Sequence, residues 1–400
     1  VRISFAKWAP SAAVTTLIAA GLIAVPLQAT AVDLPEKSAE DIIALLALDP
    51  VDFSGTVVKT TDLGLPELEM SSLMSQEMVD EMASTMPAGF EEFVPSLIEN
   101  NPITDAISFA AGTDRIRLFV SQEGLRAQIL DPMSQRDIIV NDTEAWTYDA
   151  ARQSATQVVF DEPLEQKNWD DAASSVEVDL SNPNAIADYV IEQAGPGTTF
   201  TVGEPRLVAS RATYTLIVTP GEATSLVDYI TLQIDAQTGL GLGVQVFSTQ
   251  QVAPAIVVEF ESLTLATPDA SLFSFTPPPG TTIEQPELPA DFAESLRELG
   301  SEDLTEAERE ALARDLFAEF DQGVTPRQIG EGWTTVMALD ALPASFPLEM
   351  LENELLADLS TKVAGGTVFS TPLVNVLITD SGEVFAGALT IEALLDIAAG

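Results

Sequence analysis

The sequence predicts a mainly β protein with some helix: a long antiparallel sheet that curves into a trough, followed by a small α+β unit. Three observations predict it. Short β-rich runs follow one another with turn residues between them and no regular alternation with helices. Along the clearest run Ile116, Leu118 and Val120 alternate with Arg115 and Arg117, so one face of the sheet is apolar. Prolines at 277, 278, 279, 286 and 289 then close the strand series before a helical stretch and a second group of strands. A long antiparallel sheet with helices on one side covers an apolar face by curving.

Residues 1–31 read as an export signal. Arg2 and Lys7 precede an apolar run from Ala12 to Val25, then Pro26 and the small-residue motif Ala29-Thr30-Ala31. Cleavage after Ala31 is expected, with an uncleaved anchor as the alternative, because the run is shorter than the ~20 residues that span a bilayer. Ser38 and Asp41 have capping-box spacing ahead of Ile42, Ile43, Leu45 and Leu46, which predicts a short amphipathic helix. Strands are expected at Phe53–Thr60, Arg115–Ser121, Leu125–Leu130, Arg136–Val140, Ala145–Tyr148 and Thr156–Phe160. A helix over Asn184–Ala194 follows. Strands resume at Thr199–Val202, Arg206–Ser210, Ala212–Thr219, Ser225–Asp235, Leu242–Ser248 and Ile256–Leu265. The expected organisation is a main domain over 32–284 with a methionine-rich insert at about 67–101, a helical linker over 285–330 that includes Asp291–Phe320, and an α+β domain over 331–400. The last is expected to hold strands at Trp333–Leu339, Val374–Thr379 and Val384–Leu389 with helices near Leu348–Leu359 and Ile391–Ala399.

Composition narrows the chemistry. The sequence holds no cysteine, which excludes a lipid-modified cysteine anchor, disulfides and thiolate sites. It holds no histidine either, so a serine–histidine–aspartate triad and histidine-ligated zinc cannot be built from it. No cofactor or metal is called for, and the expectation is a protein that is not an enzyme. The formal net charge of −45 repels nucleic acid and anionic membrane surfaces. It reads as a solvated acidic surface, with a dedicated cation-binding surface as the alternative. With 46% apolar residues the chain can still bury a core.

Several segments carry a family likeness. They are Phe53-Ser54-Gly55-Thr56-Val57-Val58 with Leu63-Gly64-Leu65-Pro66, Ala145-Trp146-Thr147-Tyr148-Asp149, Ile234-Asp235-Ala236-Gln237-Thr238-Gly239, and Pro268-Asp269-Ala270-Ser271-Leu272-Phe273 running on to Phe275-Thr276-Pro277-Pro278-Pro279-Gly280. In this order and spacing, across roughly Val32 to Glu284, the chain resembles the superfamily of lipoprotein carriers and regulators that includes LolA, LolB, LppX and RseB (MucB), in its actinobacterial form. Gly332-Trp333 looks similar to the same subgroup. The resemblance implies an unclosed antiparallel β-barrel with plugging helices and an apolar interior that accepts acyl chains of lipid or lipoprotein. It implies a secreted or envelope-associated carrier or, alternatively, an RseB-like regulatory module that senses lipid and binds a membrane partner such as an anti-sigma factor. The extra C-terminal domain and the insert depart from the carriers.

The candidate acyl-contact residues are Ile116, Leu118, Val120, Ile129, Trp146, Leu216, Ile230, Leu232, Val244, Val246 and Val258, which either line a cavity or fill a solid core. A dozen buried methylenes at about 0.8 kcal/mol each supply roughly 10 kcal/mol, enough for affinity without a polar clamp. Within the insert Met70, Met74, Met78, Met82 and Met86 recur every fourth residue, placing flexible, polarizable side chains on one helical stripe. A lid over the trough, an ordinary packing helix and a copper(I) array all fit that stripe. Gly239-Leu240-Gly241-Leu242-Gly243 reads as a hairpin, since it lacks the third glycine and the following helix of a dinucleotide loop. The segment after Thr305–Phe320 lacks the alternating acids of a calcium loop, and Asp170-Asp171 and Glu91-Glu92 read as surface.

Overall fold

The computed structural model describes residues 32–46, 48, 51–64, 112–130, 135–159, 197–284, 326–341 and 360–399. The export segment, the methionine stripe, the acidic pairs and the expected helices over 184–194, 291–320 and 348–359 lie outside the described residues.

Helix α1 spans Ala39–Leu46 and starts where its sequence says it should. The Ser38 hydroxyl accepts from the Asp41 amide at 3.1 Å and the Asp41 carboxylate accepts from the Ser38 amide at 3.2 Å, a reciprocal cap that satisfies two otherwise orphaned donors. These bonds hold the Asp41 carboxyl below the usual aspartate value. Ile42 and Leu46, four residues apart, form the buried stripe.

The first sheet is made of two meanders. One runs β1 (Phe53–Thr61), β2 (Gly112–Ser121), β3 (Gly124–Leu130), β4 (Gln135–Val140), β5 (Glu144–Asp149) and β6 (Ser154–Val159). The other runs β7 (Thr199–Val208), β8 (Arg211–Thr219), β9 (Val227–Asp235), β10 (Gly241–Ser248) and β11 (Ile256–Thr264). Antiparallel pairing of β1 with β11 joins them, and β12 (Thr282–Glu284) adds at one edge in the order β12-β6-β5-β4-β3-β2-β1-β11-β10-β9-β8-β7. The twelve strands do not close on themselves, so the structure is an unclosed antiparallel sheet with helices. Two strands expected near residues 199–210 are one bulged strand, because an extra residue between Gly203 and Arg206 shifts the register without ending the pairing. The proline-rich stretch does not stay out of the sheet. Its proline-free piece Thr282–Glu284 pairs parallel to β6 at the edge, where a short strand is tolerated.

Between β11 and β12 the chain crosses the sheet as a strap. A 3-10 turn at Ala270–Phe273 is capped by the Asp269 side chain, and its carbonyls accept from Arg126 (Leu272, 3.2 Å) and Asn141 (Phe273, 2.9 Å). Gly124 admits the strap, since a Cβ there would lie 2.8 Å from Phe273 Cβ.

A second sheet holds β13 (Pro326–Ile329), β14 (Val336–Leu339), β15 (Ser360–Val363), β16 (Gly366–Ser370), β17 (Asn375–Thr379) and β18 (Val384–Gly387), with helix α2 (Ile391–Ala398) packed on β17 and β18. The Gly-Trp pair begins a 3-10 turn at Gly332–Thr334, so the expected strand starts three residues later than Trp333. This sheet is bonded to the first. The Leu226 amide donates to Ala388 O and the Thr390 amide to Thr224 O, both at 2.8 Å, and Trp333 Nε1 donates to Thr198 Oγ1 at 2.9 Å. Trp333→Phe keeps an aromatic ring and removes the last bond, so a loss of about 1 kcal/mol or more in urea unfolding is expected.

Candidate functional site

Register decides which side chains share a face. Across β8–β11 the pairs Leu216–Leu232, Leu232–Val244 and Val244–Val258 form one continuous row, and Ile230–Val246 lies in the next. Across β1–β3 Ile116 stands opposite Val57 and Ile129, Leu118 opposite Gly55 and Ala127, and Val120 opposite Phe53 and Leu125. Ten of the eleven predicted residues therefore lie on one face and belong to one apolar cluster. At its centre Phe260 lies against Gly55, where a Cβ would approach its ring to 2.6 Å, and meets Phe53 edge-on at 5.7 Å.

Trp146 is the exception and lies on the opposite face. It pairs with Ile139, which pairs with Arg126, which pairs with Phe119, one residue out of step with Leu118. A shift of one along a strand moves a side chain to the other side of the sheet. There Trp146 joins Ile139 and Ala155 under the strap, with its ring 5.4 Å from that of Phe275.

Coverage of the apolar face is uneven among the described residues. Helix α1 packs on β7, β8 and β9, and Trp333, Leu373 and Ala388 join the same cluster from the second sheet. Leu118 and Val246 are fully buried, whereas Val120 and Ile129 are only partly so.

The face also carries a charge pair. Lys59 occupies an inward position of β1, two residues beyond Val57, and is 0% exposed. Asp114 stands opposite it on β2, 23% exposed, and forms an ion pair with it. Burial pushes the ammonium below the usual lysine range and Asp114 offsets this. The pair is not among the residues singled out from the sequence. The signal was present: Phe53, Gly55, Val57, Lys59 and Thr61 alternate, so Lys59 keeps step with the core residues.

The opposite face holds buried polar groups. Arg206 on β7 makes a bidentate pair with Glu259 on β11, with Nη2 to Oε2 at 2.8 Å. The guanidinium passes over Gly243, where a Cβ would lie 3.2 Å from Nη2 and 2.4 Å from Gln233 Cγ. Gln233 accepts from Thr215 at 2.9 Å. Nearer the other edge, Asp137 accepts from Arg126 (2.7 Å) and Gln128 (2.8 Å). These pairings satisfy buried charge. The Arg115–Glu261 pair is half exposed and contributes little.

No family model and no curated protein matches the sequence. Solved structures do. MucB in complex with MucA from Pseudomonas aeruginosa is 13% identical, over 90% of this chain and 96% of that one, with a TM-score of 0.39. An uncharacterized conserved protein from Thermus thermophilus is 8% identical, over 62% of this chain and 98% of that one, with a TM-score of 0.31. A LolA superfamily protein from Nitrosomonas europaea is 8% identical, over 60% of this chain and 99% of that one, with a TM-score of 0.22. These likenesses assign this chain neither ligand nor partner.

Proposed function

We propose that the chain is a non-enzymatic, extracytoplasmic binding protein that holds acyl chains of a lipid or lipoprotein against the apolar face of its open sheet. The observation that carries the reading is the collection of ten apolar residues on one face of a sheet that stays unclosed. The occupied part is the β1–β3 half, away from α1, where Val120 and Ile129 keep partial exposure. The absence of histidine and cysteine from the sequence supports a role in binding and not in catalysis.

Native mass spectrometry of protein purified without detergent from its own envelope is expected to show adducts of acyl-chain mass. Protein that carries none, and binds no added acyl probe, would remove the reading. Charge substitutions sharpen the test. At Leu118 or Val246 an aspartate is buried without a partner and unfolds the sheet. Val120→Asp and Ile129→Asp, at partly exposed positions, are expected to keep the melting temperature within a few degrees and weaken acyl-probe binding roughly tenfold or more.

A second reading, a regulatory module that grips a membrane partner, is favoured by the second sheet, which is hydrogen-bonded to the ends of β9 and β10. A detergent-solubilised pull-down separates the two, since a regulator brings a stoichiometric membrane protein and a pure carrier brings cargo alone.

A further inference from the structure

The sheet edges differ in how they are protected. An edge strand presents unpaired backbone N–H and C=O groups, and folded proteins blunt it by shortness, proline, lysine, a bulge or a cover. In the second sheet β13 opens on Pro326 and β15 carries Lys362, and each has only four residues. On one side of the first sheet the short β12 screens residues 154–156 of β6. On the other side the edge strand is β7, with ten residues. Its second half is guarded. It bulges between Gly203 and Arg206, the carbonyls of Glu204 and Arg206 accept from the hydroxyls of Thr215 (2.7 Å) and Thr213 (2.9 Å), and Arg206 is tied to Glu259. The first half, residues 199–203, pairs in register with residues 215–219 of β8 and, among the described residues, carries none of these guards. Thr199, Thr201 and Val202 are exposed.

The surroundings of this open half define what fits it. Val202 stands opposite Leu216, so the apolar row that runs through Leu232 and Leu216 ends on a valine that is 43% exposed. A further strand covers that valine if it brings an apolar residue beside it, with polar residues at the alternate positions. The charge left over here is negative. Exposed Glu204 follows the open stretch, and exposed Glu331 lies two residues from Trp333, which bonds Thr198 at its start. Gly221 packs on Gly197, and next to it Glu222 has a buried Oε2 without a hydrogen-bond partner. The cations of this corner, Arg206 and Arg211, are engaged by Glu259 and Asp235.

We propose that the open half of β7 is a docking edge for an extended segment of a partner protein, one that alternates apolar with basic residues and adds as a further strand beside residues 199–203. Backbone hydrogen bonds supply the attachment, the apolar residue beside Val202 sets the register, and the basic residues meet the acidic surroundings. A second copy of this chain is the wrong partner, because two edges with the same acidic surroundings repel, as do two chains of net charge −45. This edge lies outside the β1–β3 half assigned to acyl chains, so it stands or falls independently of that reading.

A short capped peptide that alternates lysine with valine, fluorescently labelled and titrated into the full chain by anisotropy, tests the edge. It is expected to bind and to slow hydrogen exchange in residues 199–203. The same peptide N-methylated at every residue keeps all its charges but cannot donate to a strand, and is expected to bind at least about tenfold more weakly. Val202→Lys puts a like charge at the edge in place of the apolar contact and is expected to cost about tenfold or more in affinity. The same change at Val252, 98% exposed in the β10–β11 loop, is expected to leave affinity unchanged. Both valines are exposed, so neither change removes a core residue, and the pair separates a specific edge from general attraction of a basic peptide to an acidic protein. Absence of binding, equal binding of the N-methylated peptide, equal losses in the two lysine variants, or protection that spares residues 199–203 would overturn the docking edge. Sedimentation that shows a dimer dissolved by Val202→Lys would also overturn it, and would give the edge to a second copy.

Discussion

Replacing Arg206 with methionine is expected to destabilise the fold by about 3–5 kcal/mol, because it strands the Glu259 carboxylate, 6% exposed, without its partner. The loss should depend on pH in a definite direction. Burial outweighs the Arg206 contacts and raises the Glu259 carboxyl above the usual 4.5. The native protein therefore takes up this proton before the unfolded chain does as pH falls. The cost of burying the carboxylate is complete above its raised native value and disappears below 4.5, the unfolded value. Without Arg206 that cost is larger, so the deficit measured by urea unfolding should shrink between pH 7 and pH 5. Arg206→Met/Glu259→Met removes both charges and is expected to recover most of the stability. A deficit that is the same at both pH values would show that the ion pair is not its source.

Gly239→Ala is expected to cost about 3 kcal/mol, for two separable reasons. Gly239 has φ +75°, which costs an L residue roughly 1–2 kcal/mol. Its missing Cβ also faces the end of α1: an added methyl would lie 1.9 Å from the Leu45 carbonyl oxygen, and backbone cannot yield as a side chain does. The β9–β10 turn is therefore the seat of α1 as well as a hairpin. Asparagine tolerates the left-handed conformation but brings the same Cβ. Gly239→Asn should thus be nearly as damaging as Gly239→Ala in urea unfolding, and recovery of wild-type stability by asparagine would assign the effect to backbone strain alone.

Most strands were legible because turn residues separate them and burial alternates along them. Phe53–Thr61, Gly124–Leu130 and Gly241–Ser248 differ by one residue at an end from the runs read in the sequence. The β7–β8 turn was read late, between Ser210 and Ala212. It is built by Ala209 and Ser210 at φ 47° and 66°, where a glycine or asparagine would have announced it, so Ser210 was read as strand. Trp146 was assigned to the trough because the alternation argument gives one apolar face, whereas the strap makes a second apolar patch under Phe273 and Phe275. That strap is coded by a local Asp269 cap and by Gly124 and Asn141, whose contacts with Phe273 are distant in sequence and invisible to periodicity. Arg206 and Glu259 likewise appear as ordinary charges until the register places Gly243 between them. The strands β15 and β16 were passed over, being four and five residues long around the Gly365-Gly366 turn.

The single ladder between β1 and β11 has a consequence for the order in which the chain acquires its structure. Apart from the β1–β2 ladder, which joins Thr61 to Gly112, pairing within β1–β6 and within β7–β11 runs between strands close along the chain, so most of each half can form through short-range encounters. Among the described residues the halves are stitched by Ser54–Thr264 through Thr61–Ile256 and by the strap that ends on β6, contacts between the beginning and the end of the first sheet. Loop-closure entropy must be overcome before those contacts give any return. The rate-limiting event in refolding is then the meeting of two preformed meanders. Until it occurs β1 and β11 each present an open, β-branched edge, and this is the interval in which the chain is most exposed to pairing with another copy of itself.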